Sequence, residues 1–273
     1  MVRGGLPMSD SKNIHQAGGK HLAKTKVYEG PKTGNDSVEI MEDKLLDAEQ
    51  NFDRQYRIKK IANFVVSLII VVLGVSSVIF IFIHDSDGWL TFRWLTVDGT
   101  LFTTVLSVFF VVIDIIDFIH LTEHSTSFIY FARLAAAVAE GLIMIVVLIS
   151  QLPIFSEHMH IFRYDMFNMH ILIPVLMIAS FVLNDPPIGK LRFLQKLKGT
   201  WYVSLYAAIV ITLILTGVIP TEQIPYFFLD VTHLPLIDLI TYFGLIFAIA
   251  ITLSHCLSYL NRKLSWLWLR DLA

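Results

Sequence analysis

Six long apolar runs constrain this chain more than any other feature of its sequence. They lie near residues 61 to 83, 97 to 119, 128 to 150, 169 to 184, 201 to 219 and 236 to 260. A helix needs about 20 apolar residues to cross a bilayer, and lipid offers no partner for an exposed backbone amide. Each run therefore predicts a transmembrane helix, and the chain is expected to be an all-α, polytopic membrane protein with six spans.

The composition agrees with a membrane protein and excludes several functional classes. Hydrophobic residues make up 55% of the 273 residues and charged residues only 16%, which is outside the balance of a soluble domain. The single cysteine, Cys256, excludes an internal disulfide and a cysteine metal cluster. The sequence contains neither a Walker loop nor a dinucleotide-binding fingerprint. We therefore expect no cofactor and no nucleic-acid partner.

The distribution of Lys and Arg predicts the orientation of the spans. Basic residues are concentrated before the first run, after the fourth and after the sixth: Arg54, Arg57, Lys59, Lys60, Lys190, Arg192, Lys196, Lys198, Arg262, Lys263 and Arg270. The connections after the first, third and fifth runs contain only Arg93 and Arg163 among many acidic residues. Because loops rich in Lys and Arg stay in the cytoplasm, both termini are expected to be cytoplasmic.

The segments outside the spans differ in character. Residues 1–37 are polar and nearly free of aliphatic side chains, so they are expected to form a disordered tail. Residues 38–59 carry apolar side chains at helical spacing, which indicates an amphipathic helix, lying on the cytoplasmic surface or extending the first span. Residues 60–262 form the predicted six-helix domain, and residues 263–273 form a cytoplasmic C-terminal tail.

Three segments bring polar side chains to the outer end of the predicted bundle. Thr96 begins the second span, His170 lies early in the fourth, and Asp230 follows the fifth in a segment too apolar for an ordinary exposed loop. A hydroxyl activated by a histidine, with an acid to orient the ring, is the residue set used in acyl transfer. Membrane threonines also commonly bond the carbonyl one turn back, and interfacial histidines commonly contact neighbouring helices or headgroups. Residue spacing alone leaves both interpretations open.

Three short motifs strengthen the catalytic interpretation. They are RWLT at residues 93–96, NMH at 168–170 with Pro174 four residues later, and PYFFLD at 225–230. In this order and at these topological places they resemble the androgen-induced family of six-span intramembrane threonine hydrolases and the bacterial six-span proteins grouped with it. The resemblance covers about residues 60 to 262, whereas the long N-terminal tail is not part of the family pattern.

This resemblance implies an activity and two catalytic residues. Thr96 corresponds to the family's nucleophile and His170 to its general base, in the hydrolysis of lipid esters such as fatty acid esters of hydroxy fatty acids. The implied substrate is a membrane lipid, and the implied location is a bacterial plasma membrane. The implied mechanism passes through an acyl-enzyme on Thr96 that water then hydrolyses.

Five further residues are candidates for supporting roles: Arg93, Asp98, Asp165, Tyr226 and Asp230. Any of the three aspartates is a candidate to orient His170, and the sequence does not choose among them. Arg93 lies one turn before Thr96, where it would hold a lipid headgroup, stabilise a developing oxyanion or extend to lipid phosphate. Tyr226 belongs to the third motif.

Charged residues within the spans suggest a different function. Asp114, Asp117 and Arg133 are expected to pair, because an uncompensated charge in the membrane is costly. Glu140 lies nearest mid-membrane, either in a proton path or protonated and bonded to a neighbouring helix. These carboxylates make a secondary transporter the main alternative, although no repeated halves with broken helices are evident.

A zinc site and a scaffold role rest on weaker patterns. His158, His160 and His170 with Asp165 offer ligand types that suit zinc, but a loop gives no fixed geometry, and no metal is predicted. A non-enzymatic scaffold or regulatory subunit would use residues 1 to 58 to bind a cytoplasmic partner.

Overall fold

The computed structural model describes residues 35–84, 87–120, 126–151, 161–185, 188 and 191–270. Within these ranges the chain is helical without any strand, and six helices are long and apolar enough to cross a membrane. They are α1 (Asn35–His84), α2 (Leu95–His120), α3 (Ser127–Val146), α4 (Tyr164–Asn184), α5 (Phe193–Leu215) and α6 (Leu236–Arg270). The predicted all-α integral membrane fold with six spans is confirmed.

Two spans begin earlier in the chain than their apolar runs. Helix α4 begins at Tyr164, and its first turns contain the polar residues Asp165 and Asn168, which are buried inside the protein. Helix α5 begins at Phe193 and continues through a short 3₁₀ turn, Leu197–Thr200. Hydropathy alone placed both starts too late, because the first turns of both helices contain polar residues.

The N-terminal half of α1 contains the segment predicted as an amphipathic helix. Helix α1 runs through the whole of residues 38–59, and the amphipathic character of this segment and its position on the membrane surface stay predictions. The predicted tail, residues 1–37, lies outside the described residues except for its last three positions. The chain divides into two compact units, Met1–Leu46 and Asp47–Ala273, and the site described below belongs to the second.

Helix α3 is the central helix of the bundle. It packs against α2, α4, α6 and the 3₁₀ turn that opens α5, and its residues from Ala132 to Ile143 are buried without interruption. Five alanines and Gly141 in this stretch keep the helix thin, which lets its neighbours approach closely. A helix that is buried on every side is surrounded by other parts of the protein and not by lipid.

Small residues also set the spacing of the outer helices. A Cβ atom added at Gly74 of α1 would overlap the Thr104 hydroxyl of α2, and one added at Gly199 would overlap the Ser254 hydroxyl of α6. Gly244 of α6, in contrast, has open space where its Cβ would lie. Close packing thus depends on particular glycines at two of these three positions.

A buried polar network joins α1, α3 and α4 near the start of α3. Arg133 Nε lies 2.7 Å from Asp185 Oδ2, and Arg133 Nη2 donates to Ser180 Oγ over 2.6 Å. Asn63 donates to Asp185 Oδ1 over 3.0 Å and accepts hydrogen bonds from Ser180 and Arg133. Asn261 of α6 completes the network by donating to the Asp185 carbonyl over 2.8 Å.

The partners of the intramembrane charges differ from those expected. Arg133 pairs with Asp185, whereas Asp117 forms its ion pair with Lys60 at 2.5 Å. Arg133 and Asp117 are therefore each paired, but the expected Arg133 partners, Asp114 and Asp117, were wrong, and Asp114 forms no ion pair among the described residues. The reason is that Lys60 of α1 lies beside Asp117, whereas Asp185 at the end of α4 lies beside the Arg133 guanidinium.

The loop of residues 216–235 folds back over one end of the bundle. Gly217, with a φ of 74°, ends α5 by letting the Val218 amide bond the Leu213 carbonyl at 2.9 Å. Ile219 and Leu229 are buried, and the Tyr226 ring packs edge-on against Trp94 with ring centres 5.4 Å apart. This confirms the expectation that the segment after span five covers the helices.

Candidate active site

Thr96 lies in the first turn of α2, at the end of the bundle covered by the 216–235 loop. The chain enters α2 from a 3₁₀ turn, Gly88–Arg93, through the extended residue Trp94. Tyr206 of α5 fixes this entry, because its hydroxyl donates to the Arg93 carbonyl over 2.5 Å. The Thr96 side chain is 9% exposed and is therefore held inside the protein.

An apolar pocket begins at Thr96. It contains about 570 Å³ of empty space, including its mouth, and lies among α2, α3, α5, α6 and the 216–235 loop. Its walls include Thr96, Ile143, Tyr206, Tyr226, Phe228 and Phe247. Small-molecule sites in proteins are commonly mostly apolar clefts with a few placed polar groups. The pocket fits that description, since Thr96 and two tyrosines are its polar residues among those described.

The phenol of Tyr226 is directed at the start of α2. It lies close enough to the Thr96 hydroxyl and to the backbone N–H groups of Leu95 and Thr96 to act on them, although the geometry falls short of a hydrogen bond. Burial raises the pKa of Tyr226 to about 12, and these contacts oppose that rise. The phenol therefore keeps its proton near neutral pH and is available as a donor beside Thr96.

His170 lies in an irregular turn of α4. Residues Asn168–Leu172 form a wider π-helical turn, which accommodates Pro174, because proline lacks an N–H for the carbonyl four residues earlier. His170 is 5% exposed, and its Nδ1 lies 2.8 Å from the Met166 carbonyl oxygen. A carbonyl can only accept, so Nδ1 carries the proton and Nε2 of the neutral ring is left as a base.

The structure brings the segments of Thr96 and His170 together but not their side chains. Helix α2 contacts the Asn168–Leu172 turn, and Val97 and Met169 belong to one apolar cluster. Within the described residues, no hydrogen bond joins Thr96 to His170, and His170 is not among the residues that line the pocket. The two residues thus lie on adjacent segments at the same end of the bundle.

The three candidate aspartates all have other hydrogen-bond partners. Asp165 is fully buried and binds the Arg163 guanidinium through both oxygens, each over 2.6 Å. Asp98 accepts a hydrogen bond from Tyr202 of α5 over 2.6 Å. Asp230 accepts hydrogen bonds from Thr232 and His233 within its own turn. The Met166 carbonyl, which sequence reasoning missed, is the group that orients His170.

Arg93 is also engaged locally. Its guanidinium pairs with Asp87 at 2.5 Å, donates to the Leu90 carbonyl and lies over the Trp94 ring. Arg93 therefore stabilises the turn that delivers the chain into α2. Its predicted contact with a lipid headgroup or an oxyanion stays a prediction.

The metal interpretation finds no support in the part of the chain that is described. No group of three or more His, Cys, Asp or Glu side chains in these ranges is arranged to hold a metal ion. His158 and His160 lie outside the described residues. Asp165 is occupied by Arg163, which is a poor environment for a metal ligand.

The fold and the pocket define a class: an integral membrane protein of six helices with an apolar pocket at one end of the bundle. Comparison of the chain with models of protein families, with curated proteins and with solved structures gives no match.

Proposed function

We propose that this protein is an intramembrane hydrolase of lipid esters, with Thr96 as nucleophile and His170 as general base. The observation that carries the proposal is the position of the Thr96 hydroxyl, on the wall of an apolar pocket and next to the Tyr226 phenol. The RWLT, NMH and PYFFLD motifs, which resemble those of the androgen-induced family, give independent support.

The reaction would proceed in two steps. Thr96 Oγ1 attacks the ester carbonyl carbon while His170 Nε2 takes its proton, and the alcohol leaves with that proton as the ester bond breaks. Water then attacks the acyl-threonine while His170 takes one of its protons, and His170 passes that proton to Thr96 Oγ1 as the fatty acid leaves. Because no hydrogen bond joins the two residues in this structure, proton transfer would go through one bridging water or follow closure on the substrate.

The surroundings suit these steps. The apolar pocket would hold an acyl chain, and the Tyr226 phenol would donate to the oxyanion that forms beside Thr96. The hydrogen bond to the Met166 carbonyl keeps Nε2 of His170 unprotonated, as a base requires. In the proposed orientation both termini are cytoplasmic, and the pocket opens to the outer leaflet of a bacterial plasma membrane.

The experiment is hydrolysis of a fluorogenic long-chain ester by the purified full-length protein. We expect Thr96→Ala to abolish hydrolysis, Thr96→Ser to retain part of it, and His170→Asn to reduce it by at least about a hundredfold. Thr212→Ala is the matched control for threonine, because its hydroxyl bonds the Ala208 carbonyl on an exposed helix face.

His255→Asn is the matched control for His170. His255 of α6 also bonds the carbonyl four residues back, Ile251, over 2.9 Å. Loss of activity in both histidine variants would indicate a structural effect. Full activity of folded Thr96→Ala would exclude the proposed nucleophile.

A secondary transporter is the second candidate, and one observation favours it. Glu140 is fully buried in α3, and neither carboxyl oxygen has a hydrogen-bond partner among the described residues. Asp117 contributes little to this candidate, because Lys60 compensates its charge. Ester hydrolysis that is intact in Glu140→Gln, with no substrate uptake into proteoliposomes, would favour the hydrolase.

A further inference from the structure

Glu140 lies in a polar cluster that the proposed hydrolysis does not use. The cluster consists of Glu140 on α3 and Thr103 on α2, with Thr100 one turn before Thr103 on the same side of α2, and all three side chains are fully buried. Thr103 is close enough to act on the Glu140 carboxyl, although the geometry falls short of a hydrogen bond. Both Glu140 oxygens and both threonine hydroxyls lack a hydrogen-bond partner within the described residues.

Thr100 and Thr103 differ from many other hydroxyls of the described helices. Seven of those hydroxyls bond the carbonyl four residues back, as membrane threonines commonly do: Thr104, Ser204, Thr212, Thr216, Thr241, Thr252 and Ser258. Thr100 and Thr103 do not, although α2 offers them the same carbonyls. Their oxygens remain available to a group other than their own backbone.

The charges nearby do not neutralise Glu140. Tyr202 of α5 is the titratable group close enough for Glu140 to act on it electrostatically, and the Tyr202 hydroxyl donates a hydrogen bond to Asp98 of α2. Arg133, the basic residue of the same helix, lies two turns away and is paired with Asp185. No ion pair joins Glu140 to a lysine or arginine in the part of the chain that is described. A carboxylate at this depth is strongly unfavourable unless a positive charge is bound with it.

We propose that Glu140, Thr100 and Thr103 form a binding site for one monovalent cation, which is either a proton or Na⁺. Carboxylate and hydroxyl oxygens are hard ligands that suit Na⁺, and a proton on Glu140 neutralises it equally well. With Na⁺, all three side chains supply oxygens to the ion. With a proton, Glu140 donates to Thr103. The cation exchanges with the solution, so the occupancy of Glu140 depends on pH or on Na⁺.

The test is modification of the full-length protein in liposomes by dicyclohexylcarbodiimide. This reagent adds to a protonated carboxyl: the acid proton moves to a reagent nitrogen, the carboxyl oxygen bonds the central carbon, and the acyl group then migrates to nitrogen. No leaving group or oxidant is needed. We expect mass spectrometry to find the adduct on Glu140 and to find none at this position in Glu140→Gln.

The dependence of labelling on pH and on salt identifies the source of the charge. If labelling falls as pH rises, and if NaCl suppresses it whereas choline chloride does not, the site binds Na⁺. Labelling that falls with rising pH but ignores NaCl indicates a proton site. In either case Thr100→Val and Thr103→Val should shift the dependence, whereas Thr212→Val should not.

Three results would overturn the proposal. They are no adduct on Glu140 at any pH, an adduct that is insensitive to both pH and NaCl, and unchanged behaviour of both threonine variants. The proposed cation site does not rest on the hydrolase proposal. Ester hydrolysis is measured separately, so the failure of one proposal is distinguishable from the failure of the other.

Discussion

Tyr226, from the 216–235 loop, points its phenol at the Thr96 hydroxyl in the first turn of α2. Removing the phenol oxygen in Tyr226→Phe leaves the ring packing against Trp94 intact but removes a donor beside the proposed oxyanion. One such interaction is worth about 1 kcal/mol, so we expect kcat for ester hydrolysis to fall about fivefold. The measurement is the steady-state rate with a fluorogenic ester.

Tyr259→Phe is the matched control for this variant. Tyr259 lies on an exposed face of α6, and it should keep full activity. Equal rates for Tyr226→Phe and the unaltered protein would show that the phenol makes no contribution to the reaction.

The contact between α1 and α2 leads to a prediction about stability. In Gly74→Ala the new methyl group overlaps the Thr104 hydroxyl, which is held by its bond to the Thr100 carbonyl. Overpacking should lower the free energy of unfolding by about 1–2 kcal/mol, even though alanine favours a helix over glycine. Thermal unfolding in detergent measures the change.

Two further variants test this explanation. Gly244→Ala should be neutral or slightly stabilising, because its Cβ meets open space. Thr104→Ala combined with Gly74→Ala should recover part of the loss. A double variant that is no better than Gly74→Ala would show that the overlap is not the cause.

The sequence predicted the six spans well because a bilayer tolerates few kinds of backbone structure. Apolar runs of this length must be helical in lipid, and the covering loop was recognisable from Pro225 and the aromatic residues that follow it. The depth of Thr96 and His170 followed from counting residues along the spans. These properties depend on the position of a residue along a helix, so they can be predicted from the sequence.

Side-chain partners depend on how each helix is rotated and on which helices are neighbours. Hydropathy could not show that Thr96 lines the pocket while His170 does not, because both lie at the same end. It could not choose Asp185 as the partner of Arg133, because Asp185 falls just beyond an apolar run. The bond from His170 to the Met166 carbonyl depends on the irregular turn before Pro174.

Breaking the buried ion pair should be strongly destabilising. Arg133→Met leaves the Asp185 carboxylate buried beside Asn63 without its cation, which costs about 3–5 kcal/mol of unfolding free energy. Adding Asp185→Asn should restore much of the loss, because the amide carries no charge. Arg262→Met, on an exposed position of α6, is the control and should change unfolding little. If Arg133→Met unfolds like that control, the ion pair does not stabilise the bundle.

Acid should loosen the 216–235 loop before it affects the helices. Hydrogen bonds from the Thr232 hydroxyl and from His233 lower the pKa of Asp230 below its ordinary value. Because the pKa of Asp230 is lower in the folded loop than the value of about 3.9 in the unfolded chain, the carboxylate stabilises the loop at pH values above about 3.9. This stabilisation is lost as the pH falls through the lowered pKa. In the unaltered protein, amide hydrogen exchange at residues 230–234 should become faster only in acid. In Asp230→Asn the exchange at these residues should already be faster at neutral pH. Glu222→Gln, an exposed carboxyl of the same loop, is the control. Equal exchange in all three proteins would mean that the Asp230 turn does not hold the loop over Thr96.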